Sequence, residues 1–362
     1  MYLPTLLRLP VTATRLALAA LLYGVASQSA VAQDAFEWSA PFLERLAQVD
    51  QQTPGQLGVY VKDMQSGISV SYHGEEAWYL ASTVKVPIAI AVMRQVEQGE
   101  LTLDSPVALL ASDYVDGAGP TNGYAPGKAL SVRFLLDQML IRSDNTASDM
   151  LIRVVGIERI NAVAQELAPE GFGPITPLAD VRRLIYGELH PAARTLSGKD
   201  FLALKQQPSD AGRLALLPRL LGVERRALQS ISLGAAYERY YATPYNSGTL
   251  KAYADLLSGL DAGTALSPAS TDYLLSVMRR VETGKQRIKA GLPRGTGFAH
   301  KTGTQRARIC DAGLVDQPGA ENNTSSRLVV VACVRGAAST TQAERALRGT
   351  GEAVTAAGLV RR

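Results

Sequence analysis

The sequence predicts an α+β fold, with an antiparallel sheet flanked by helices and a separate all-α domain. Two observations predict it. Strand-like segments lie near both ends of the chain, at 56–73 and 296–335, whereas helical periodicity dominates the residues between them. Because strands need partners for their backbone hydrogen bonds, we expect the two end segments to join in one sheet. The seam between this sheet and the helical block is a natural place for an active-site cleft.

The composition is that of a globular protein. Of 362 residues, 46% are hydrophobic and 19% are charged, which excludes a disordered chain or a coiled coil. Three histidines and two cysteines do not suffice for a zinc cluster, and we expect no metal and no other cofactor. The formal charge of +4, without a run of Lys or Arg, gives no support to nucleic-acid or membrane-surface binding. We expect a monomer.

The first residues have the pattern of a secretory signal peptide. Residues 1–32 contain two arginines and no acid, followed by an apolar run at 16–25 and small residues at 30–32. The apolar run is shorter than the roughly 20 residues that a membrane-spanning helix needs, which disfavours the alternative of an uncleaved anchor. We therefore predict a signal peptide over 1–32, a periplasmic or secreted protein, and no stable membrane anchor.

The predicted elements follow from periodicity and turn residues. Strands are predicted at 56–63, 68–73, 296–315 and 327–335, and helices at 84–96, 131–141, 146–154, 157–168, 249–257, 269–281 and 340–357, with a loop at 243–248. We expect the sheet domain to comprise 33–80 and 291–362, and the all-α domain to comprise 81–290.

The two cysteines lie in two strand-like runs. Cys310 and Cys333 flank the turn-rich stretch 317–323, and a hairpin centred there puts them roughly opposite each other. Export favours disulfides. A cross-strand disulfide and two buried thiols are both compatible with the sequence.

A serine and a lysine stand at the start of the first predicted helix. Ser82 and Lys85 are three residues apart, so both side chains lie on one face of the helix. A serine hydroxyl becomes a good nucleophile when a nearby base takes its proton, and an amine is a base only when neutral. Burial and a neighbouring cation both favour the neutral amine. A capping serine beside a solvated lysine is the alternative.

Two further short motifs follow in the chain. Ser-Asp-Asn at 143–145 opens a helix, where these residue types are also ordinary N-caps. Lys-Thr-Gly at 301–303 lies on or beside a strand, where the glycine lets a ligand approach the backbone, although a plain edge strand is the alternative. From background residue usage, the probability that all three motifs occur in this order by chance is below about 5%.

Together the three motifs resemble those of class A β-lactamases and penicillin-binding proteins. The stretches 127–133 and 283–293 are also similar to this family, and the likeness covers most of the chain after residue 32. The resemblance implies the β-lactamase/transpeptidase-like fold and a small-molecule substrate, either a β-lactam or a cell-wall peptide.

The resemblance also implies catalytic roles. Ser82 is the acylated nucleophile, Lys85 is its base or part of a proton relay, and Ser143 passes a proton to the leaving nitrogen. The backbone N–H groups of Ser82 and Thr304 form the oxyanion hole.

Substrate-binding roles are implied at the second and third motifs. Asn145 holds the substrate amide, and Lys301 and Thr302 bind the substrate carboxylate. Arg306 or Arg308 either assists this carboxylate or belongs to a solvated strand face.

One region departs from the family's pattern. Class A enzymes activate the deacylating water with the glutamate of a Glu-x-x-Leu-Asn string, which is missing here. The nearest match lies at 186–191 and contains Glu188, at the start of a long insertion at about 186–242. Three readings stay open: Glu188 activates the water from a reshaped loop, His190 or Tyr186 does so instead, or no group does.

The function predicted from this resemblance is a secreted serine β-lactamase, class A-like, that opens β-lactam rings through a Ser82 acyl-enzyme. A D-alanyl-D-alanine peptidase or penicillin-binding protein that is acylated but deacylates slowly is the first alternative. A non-catalytic sensor of β-lactams or muropeptides is the second.

Overall fold

The computed structural model describes residues 38–316 and 327–360. The strands are β1 (Gln56–Asp63), β2 (Ser69–Tyr72), β3 (Ala77–Tyr79), β4 (Pro106–Ala108), β5 (Ala129–Ser131), β6 (Ser247–Thr249), β7 (Phe298–Gln305), β8 (Arg308–Asp316) and β9 (Arg327–Arg335). The helices are α1 (38–51), α2 (Lys85–Glu97), α3 (Val132–Ile141), α4 (Asn145–Val155), α5 (Ile157–Leu167), α6 (Leu178–Gly187), α7 (Gly198–Gln206), α8 (Asp210–Leu221), α9 (Leu233–Tyr241), α10 (Leu250–Asp261), α11 (Pro268–Arg279), α12 (Ile288–Gly291) and α13 (Thr340–Ala356). The predicted signal peptide and the 317–323 turn lie outside the described residues.

Five strands form one antiparallel sheet in the order β2-β1-β9-β8-β7. The first two strands come from the beginning of the chain and the other three from its end, which confirms the predicted fold class. Strand β9 lies at the centre, with Val59 of β1 opposite Ala332. Strands β8 and β9 are buried along almost their whole length, as expected for strands covered by helices on both faces.

Two apolar cores lie between the sheet and the helices that cover its two faces. On one face, α1 and α13 pack through residues such as Phe42, Leu46 and Leu347. On the other face, α10 lies against β9, and a larger core continues into the helical block around α2. Helix α2 is buried on nearly every side, and therefore its first residues are held in the interior of the protein.

The long insertion forms helices of its own. A third apolar core joins α6 to α7, α8 and α9, with Ile185, Phe201, Leu217 and Tyr237 among its buried members. This core reaches Tyr79 and Ala81, directly before the Ser-x-x-Lys motif. The insertion is therefore packed beside the predicted site.

Two small pairings were not predicted from the sequence. Strand β3 pairs with β6, and β4 pairs with β5, each over three residues. The predicted loop at 243–248 therefore ends inside β6. Three residues are too few to show an alternating pattern. In the main sheet, Cys310 and Cys333 lie opposite each other and form a disulfide.

Candidate active site

Ser82 lies in a short 3-10 helix, Ala81–Val84, between β3 and α2. The residue before it, Ala81, has a φ of 50°, a left-handed conformation that is costly for a residue with a side chain. Thr83 Oγ1 donates a hydrogen bond to the Leu80 carbonyl across this turn, at 2.8 Å. Ser82 lines a cleft of about 710 Å³.

Lys85 is fully buried at the first turn of α2. Its Nζ donates to the Ser143 carbonyl at 2.6 Å and to Asn145 Oδ1 at 2.7 Å. Burial lowers the pKa of Lys85 to about 7, although the charges of Asp144 and Asp149 act in the opposite direction. A neutral amine has two N–H donors, which match these two acceptors and leave its lone pair free.

Ser143 lies between two buried lysines. Its Oγ is 2.9 Å from Lys301 Nζ and 3.3 Å from Lys85 Nζ. The residue has a φ of 61°, the second left-handed non-glycine conformation at this site. Burial, Lys85 and Arg287 hold the pKa of Lys301 well below its ordinary value. The structure thus brings Lys85, Ser143 and Lys301 into one hydrogen-bonded group.

The Ser-Asp-Asn motif serves the helix and the cleft at once. Asp144 is the N-cap of α4 and accepts from Ala147 N at 2.9 Å and from Thr121 N at 2.8 Å. Asn145, which lines the cleft, donates its Nδ2 to the Asp116 carbonyl at 2.7 Å. The N-cap interpretation is therefore correct for Asp144, while its two neighbours face the cleft.

Strand β7 approaches the 3-10 helix closely at Gly303. A Cβ on Gly303 would lie 2.5 Å from the Leu80 carbonyl oxygen, closer than van der Waals contact allows. The neighbouring Thr302 and Thr304 line the cleft, and Arg287 donates to Thr304 Oγ1 at 2.7 Å. The glycine is needed here because it lets the edge strand lie against the turn that carries the nucleophile candidate.

Glu188 is not among the residues that line the cleft. It follows the end of α6, and its carboxylate lies 3.6 Å from Arg239 Nη1. Tyr186 is buried in the core of the insertion, and His190 accepts a hydrogen bond from Ala192 N. None of the three groups considered from the sequence for water activation lines a cavity together with Ser82.

Apolar side chains and an arginine lie beside Ser82 instead. A small cavity of about 40 Å³ is lined by Ser82, Leu178, Val181 and Arg182, among others. The Asp149 carboxylate holds the start of α6 by accepting hydrogen bonds from Leu178 N at 2.7 Å and from Ala179 N at 2.9 Å. Among the described residues, no carboxylate lines this cavity or the main cleft.

Arg306, which the sequence analysis named together with Arg308, lines the cleft from the turn after β7. Three other cations of the cleft were not found from the sequence: Arg182, Lys205 and Arg213, on α6, α7 and α8. Arginines and lysines on amphipathic helices normally face solvent, so the sequence held no signal that separated these from others. Arg308 does not line the cleft; it pairs with Glu238 at 2.6 Å.

No group of three or more His, Cys, Asp or Glu side chains suited to a metal ion occurs in the described part of the chain. Within the same residues, every helix is too short or too polar to cross a membrane.

Comparisons with known proteins identify the family. A family model described as "Beta-lactamase enzyme family" matches residues 41–357. Beta-lactamase VEB-1 of Pseudomonas aeruginosa is 21% identical over 274 residues, which cover 74% of this chain and 74% of VEB-1. Beta-lactamase ROB-1 of Haemophilus influenzae is 30% identical over 129 residues, which cover 35% of this chain and only 41% of ROB-1.

Solved structures show the same fold. PBP-A superposes with a TM-score of 0.64 at 23% identity, over 88% of this chain and 96% of PBP-A. A PBP-A mutant solved as an acyl-enzyme complex with penicillin G gives 0.65 at 22%, over 88% and 96%. A beta-lactamase from Sphaerobacter thermophilus gives 0.64 at 22%, over 89% of this chain and 99% of that chain. The fold is β-lactamase/transpeptidase-like, and because the family model spans nearly all of the described residues, the chain belongs to the beta-lactamase enzyme family.

Proposed function

We propose that this protein is an exported serine hydrolase in which a β-lactam or a peptide ending in D-alanyl-D-alanine acylates Ser82, and in which the acyl-enzyme is hydrolysed slowly. One observation carries the proposal. Ser143 Oγ lies within 3.3 Å of both Lys85 Nζ and Lys301 Nζ, at a cleft that Ser82 lines and that no described carboxylate lines. This arrangement supplies the groups for acylation but places no carboxylate at the cleft to serve as the base for deacylation.

Acylation begins with proton removal from Ser82. The neutral amine of Lys85 takes the proton, and Ser82 Oγ forms a bond to the substrate carbonyl carbon. The backbone N–H groups of Ser82 and Thr304 stabilise the oxyanion, each donor contributing about 2.7–4 kcal/mol by analogy with known oxyanion holes. The product of this step is a tetrahedral adduct.

Collapse of the adduct requires a proton on the leaving nitrogen. As the C–N bond breaks, Ser143 Oγ gives its proton to that nitrogen and takes one from the protonated Lys85, 3.3 Å away. The ester of Ser82 remains, and Lys85 is neutral again. Every proton taken from the nucleophile is thereby returned to the leaving group.

The same cleft suits a substrate carboxylate and an amide. Lys301 provides the positive charge, and Thr302 lines the cleft next to it, with its Oγ1 2.5 Å from Thr283 Oγ1. A bound carboxylate would favour the charged form of Lys301 that burial disfavours. Asn145 also lines the cleft, and its amide is the group proposed to hold the substrate amide.

Slow hydrolysis follows from the surroundings of Ser82. A water that attacks the ester needs a base within hydrogen-bond reach. Leu178 and Val181, which line the small cavity beside Ser82, have no acid–base group, and Glu188 lies against Arg239 instead. This favours the penicillin-binding behaviour over the rapid β-lactam turnover through Glu188 that the sequence led us to expect first.

Export is part of the proposal. The pattern over residues 1–32 is that of a signal peptide, and family members need access to cell-wall peptides or to β-lactams outside the cytoplasm. We therefore propose a periplasmic or secreted protein that acts as a monomer.

The test is an adduct experiment. The purified protein is mixed with a chromogenic cephalosporin, and absorbance and intact mass are followed together. We expect a mass adduct that persists with little absorbance turnover. The Ser82→Ala variant should form no adduct, whereas Ser276→Ala, at an exposed serine of α11, should behave as wild type.

The other functions give different results. Rapid turnover without a lasting adduct would show an efficient β-lactamase. Neither an adduct nor turnover with the wild-type protein would reject Ser82 as a nucleophile and favour a non-catalytic binder.

A further inference from the structure

The cleft extends beyond Ser82 into a strongly basic wall. Arg182, Lys205 and Arg213 reach it from three consecutive helices, and Arg306 reaches it from the turn after β7. Three of these four residues lie on helices α6–α8, which belong to or border the insertion. The basic wall is thus built mainly by the part of the chain whose presence the Ser82 chemistry does not explain.

The carboxylates that contact this wall do not balance its charge. Asp116 accepts from Arg182 Nε at 2.6 Å. Asp210 is shared, since it pairs with Arg213 at 3.0 Å and with Arg306 at 2.6 Å. Lys205 has no ion-pair partner among the described residues. Four cations are therefore met by two carboxylates, and neither carboxylate lines the cleft.

One hydrogen-bond donor of the basic wall has no acceptor. Arg213 Nε is buried and has no partner in the described part of the protein. The guanidinium of Arg306 lies over the ring of Tyr237, with its central carbon 5.7 Å from the ring centre. A buried donor without an acceptor is unfavourable, and an anion that enters the cleft would relieve this cost.

The basic wall lies beyond Ser82 along the course of strand β7. Thr302 and Thr304 line the cleft from alternate positions of β7, and Arg306 follows in the turn after the strand ends. Thr304 also lines the small cavity that contains Ser82 and Arg182, so β7 leads from the carboxylate-binding residues past Ser82 to the basic wall. A substrate whose carboxylate is held by Lys301 therefore directs its acyl side chain toward the basic wall.

We propose that the insertion builds a carboxylate-binding subsite for the acyl side chain, and that this enzyme prefers acyl donors with an anionic group several bonds from the scissile carbonyl. Arg213, Arg306 and Lys205 are its main determinants, and Arg182 completes it next to Ser82. This proposal rests on the proposed function, because an acyl side chain is defined only if Ser82 is acylated.

The experiment compares two cephalosporins with the same nucleus. One carries a glutaryl acyl chain, which ends in a carboxylate, and the other carries the terminal primary amide of that chain. Second-order acylation rates are measured from the intact-mass adduct. A charge-assisted contact makes the glutaryl compound about ten-fold faster with the wild-type protein.

Variants assign the preference to the subsite. Arg213→Gln and Arg306→Gln should each reduce the glutaryl-to-amide rate ratio to within about two-fold, and Lys205→Gln should reduce it by a smaller factor. Because Lys205 is exposed and makes no ion pair among the described residues, its substitution does not threaten the fold. Arg219→Gln is the matched control, since Arg219 is exposed on the same helix as Arg213 and does not line the cleft; it should keep the wild-type ratio.

The outcomes separate the two proposals. Equal rates for the two compounds with the wild-type protein, or a preference that survives Arg213→Gln, Arg306→Gln and Lys205→Gln, would overturn the subsite while leaving Ser82 acylation intact. If neither compound forms an adduct with the wild-type protein, the proposed function fails, and the subsite fails with it.

Discussion

Ser143 Oγ accepts a hydrogen bond from Lys301 Nζ at 2.9 Å, in a site where both residues are buried. A second buried amine, that of Lys85, lies 3.3 Å from the same oxygen. Two ammonium groups this close and this dry are costly, so burial and mutual repulsion favour a neutral amine in the free protein. The hydroxyl of Ser143 is thus placed to carry a proton between a base and a leaving group.

The pH dependence of acylation follows from the amine of Lys85. Its pKa is lowered to about 7 by burial, and the proposed mechanism uses the neutral form as the base. Below this pKa the neutral fraction falls about ten-fold per pH unit, so the acylation rate should rise with pH and level off above about pH 8. The measurement is the second-order rate of adduct formation with one cephalosporin from about pH 5.5 to 9.

Two lysine variants make this test specific. Lys85→Met should slow acylation by about 10²–10⁴-fold and abolish the rise around neutral pH. Lys251→Met, at an exposed lysine that pairs with Asp255, should keep the wild-type profile. A wild-type rate that is flat across neutral pH would remove Lys85 from the role of base.

Gly303→Ala tests the close approach between β7 and the turn before Ser82. The added Cβ would lie 2.5 Å from the Leu80 carbonyl oxygen, so one of the two backbone segments must move. Overpacking of this kind costs about 1–3 kcal/mol, and a small displacement of the nucleophile is enough to slow the reaction by about 10²-fold. We expect a lower Tm and slower adduct formation.

The control is another glycine with room for a methyl group. At Gly123, the last residue of a short 3-10 helix at Thr121–Gly123, an added Cβ has no neighbour within 4 Å and the backbone is not left-handed. Gly123→Ala should leave acylation unchanged. Wild-type acylation by Gly303→Ala would show that the contact does not position Ser82.

Glu188→Gln tests the group that the sequence favoured for water activation. The Glu188 carboxylate faces Arg239, and 32% of its side-chain surface is exposed. We therefore expect the neutral glutamine to leave the lifetime of the adduct unchanged. The lifetime is read from the decay of the acyl-enzyme mass after excess cephalosporin is removed. A longer lifetime in Glu188→Gln would restore this residue as the base.

The extent of prediction from sequence differs between parts of the site. The motif residues Ser82, Lys85 and Lys301 were singled out as candidates because their chemistry and order are rare together, and the sheet from both chain ends followed from strand patterns. The placement of Glu188 did not follow, because the nearest match to the family's glutamate string lies at the start of the insertion, where the chain folds into the additional helices α7, α8 and α9. The three-residue strands β3 and β6 are too short for periodicity, although they fix the turn before the nucleophile.

Leu178→Glu tests whether a missing carboxylate limits hydrolysis of the acyl-enzyme. Leu178 lines the small cavity that Ser82 and Asn145 also line, and the residue is 9% exposed. A carboxylate at this position would share the cavity with the Ser82 ester, and general-base catalysis contributes about 10²–10⁴-fold. We expect the deacylation rate to rise at least about ten-fold, measured as steady-state turnover of a chromogenic cephalosporin.

A second variant separates the effect of position from that of an added negative charge. Leu216→Glu places the same carboxylate on α8, at a leucine that does not line the cavity beside Ser82. It should leave the adduct as persistent as in the wild type. If Leu178→Glu remains folded, forms the adduct and shows no faster turnover, then the slow release has another cause, such as restricted entry of water past Val181 and Arg182.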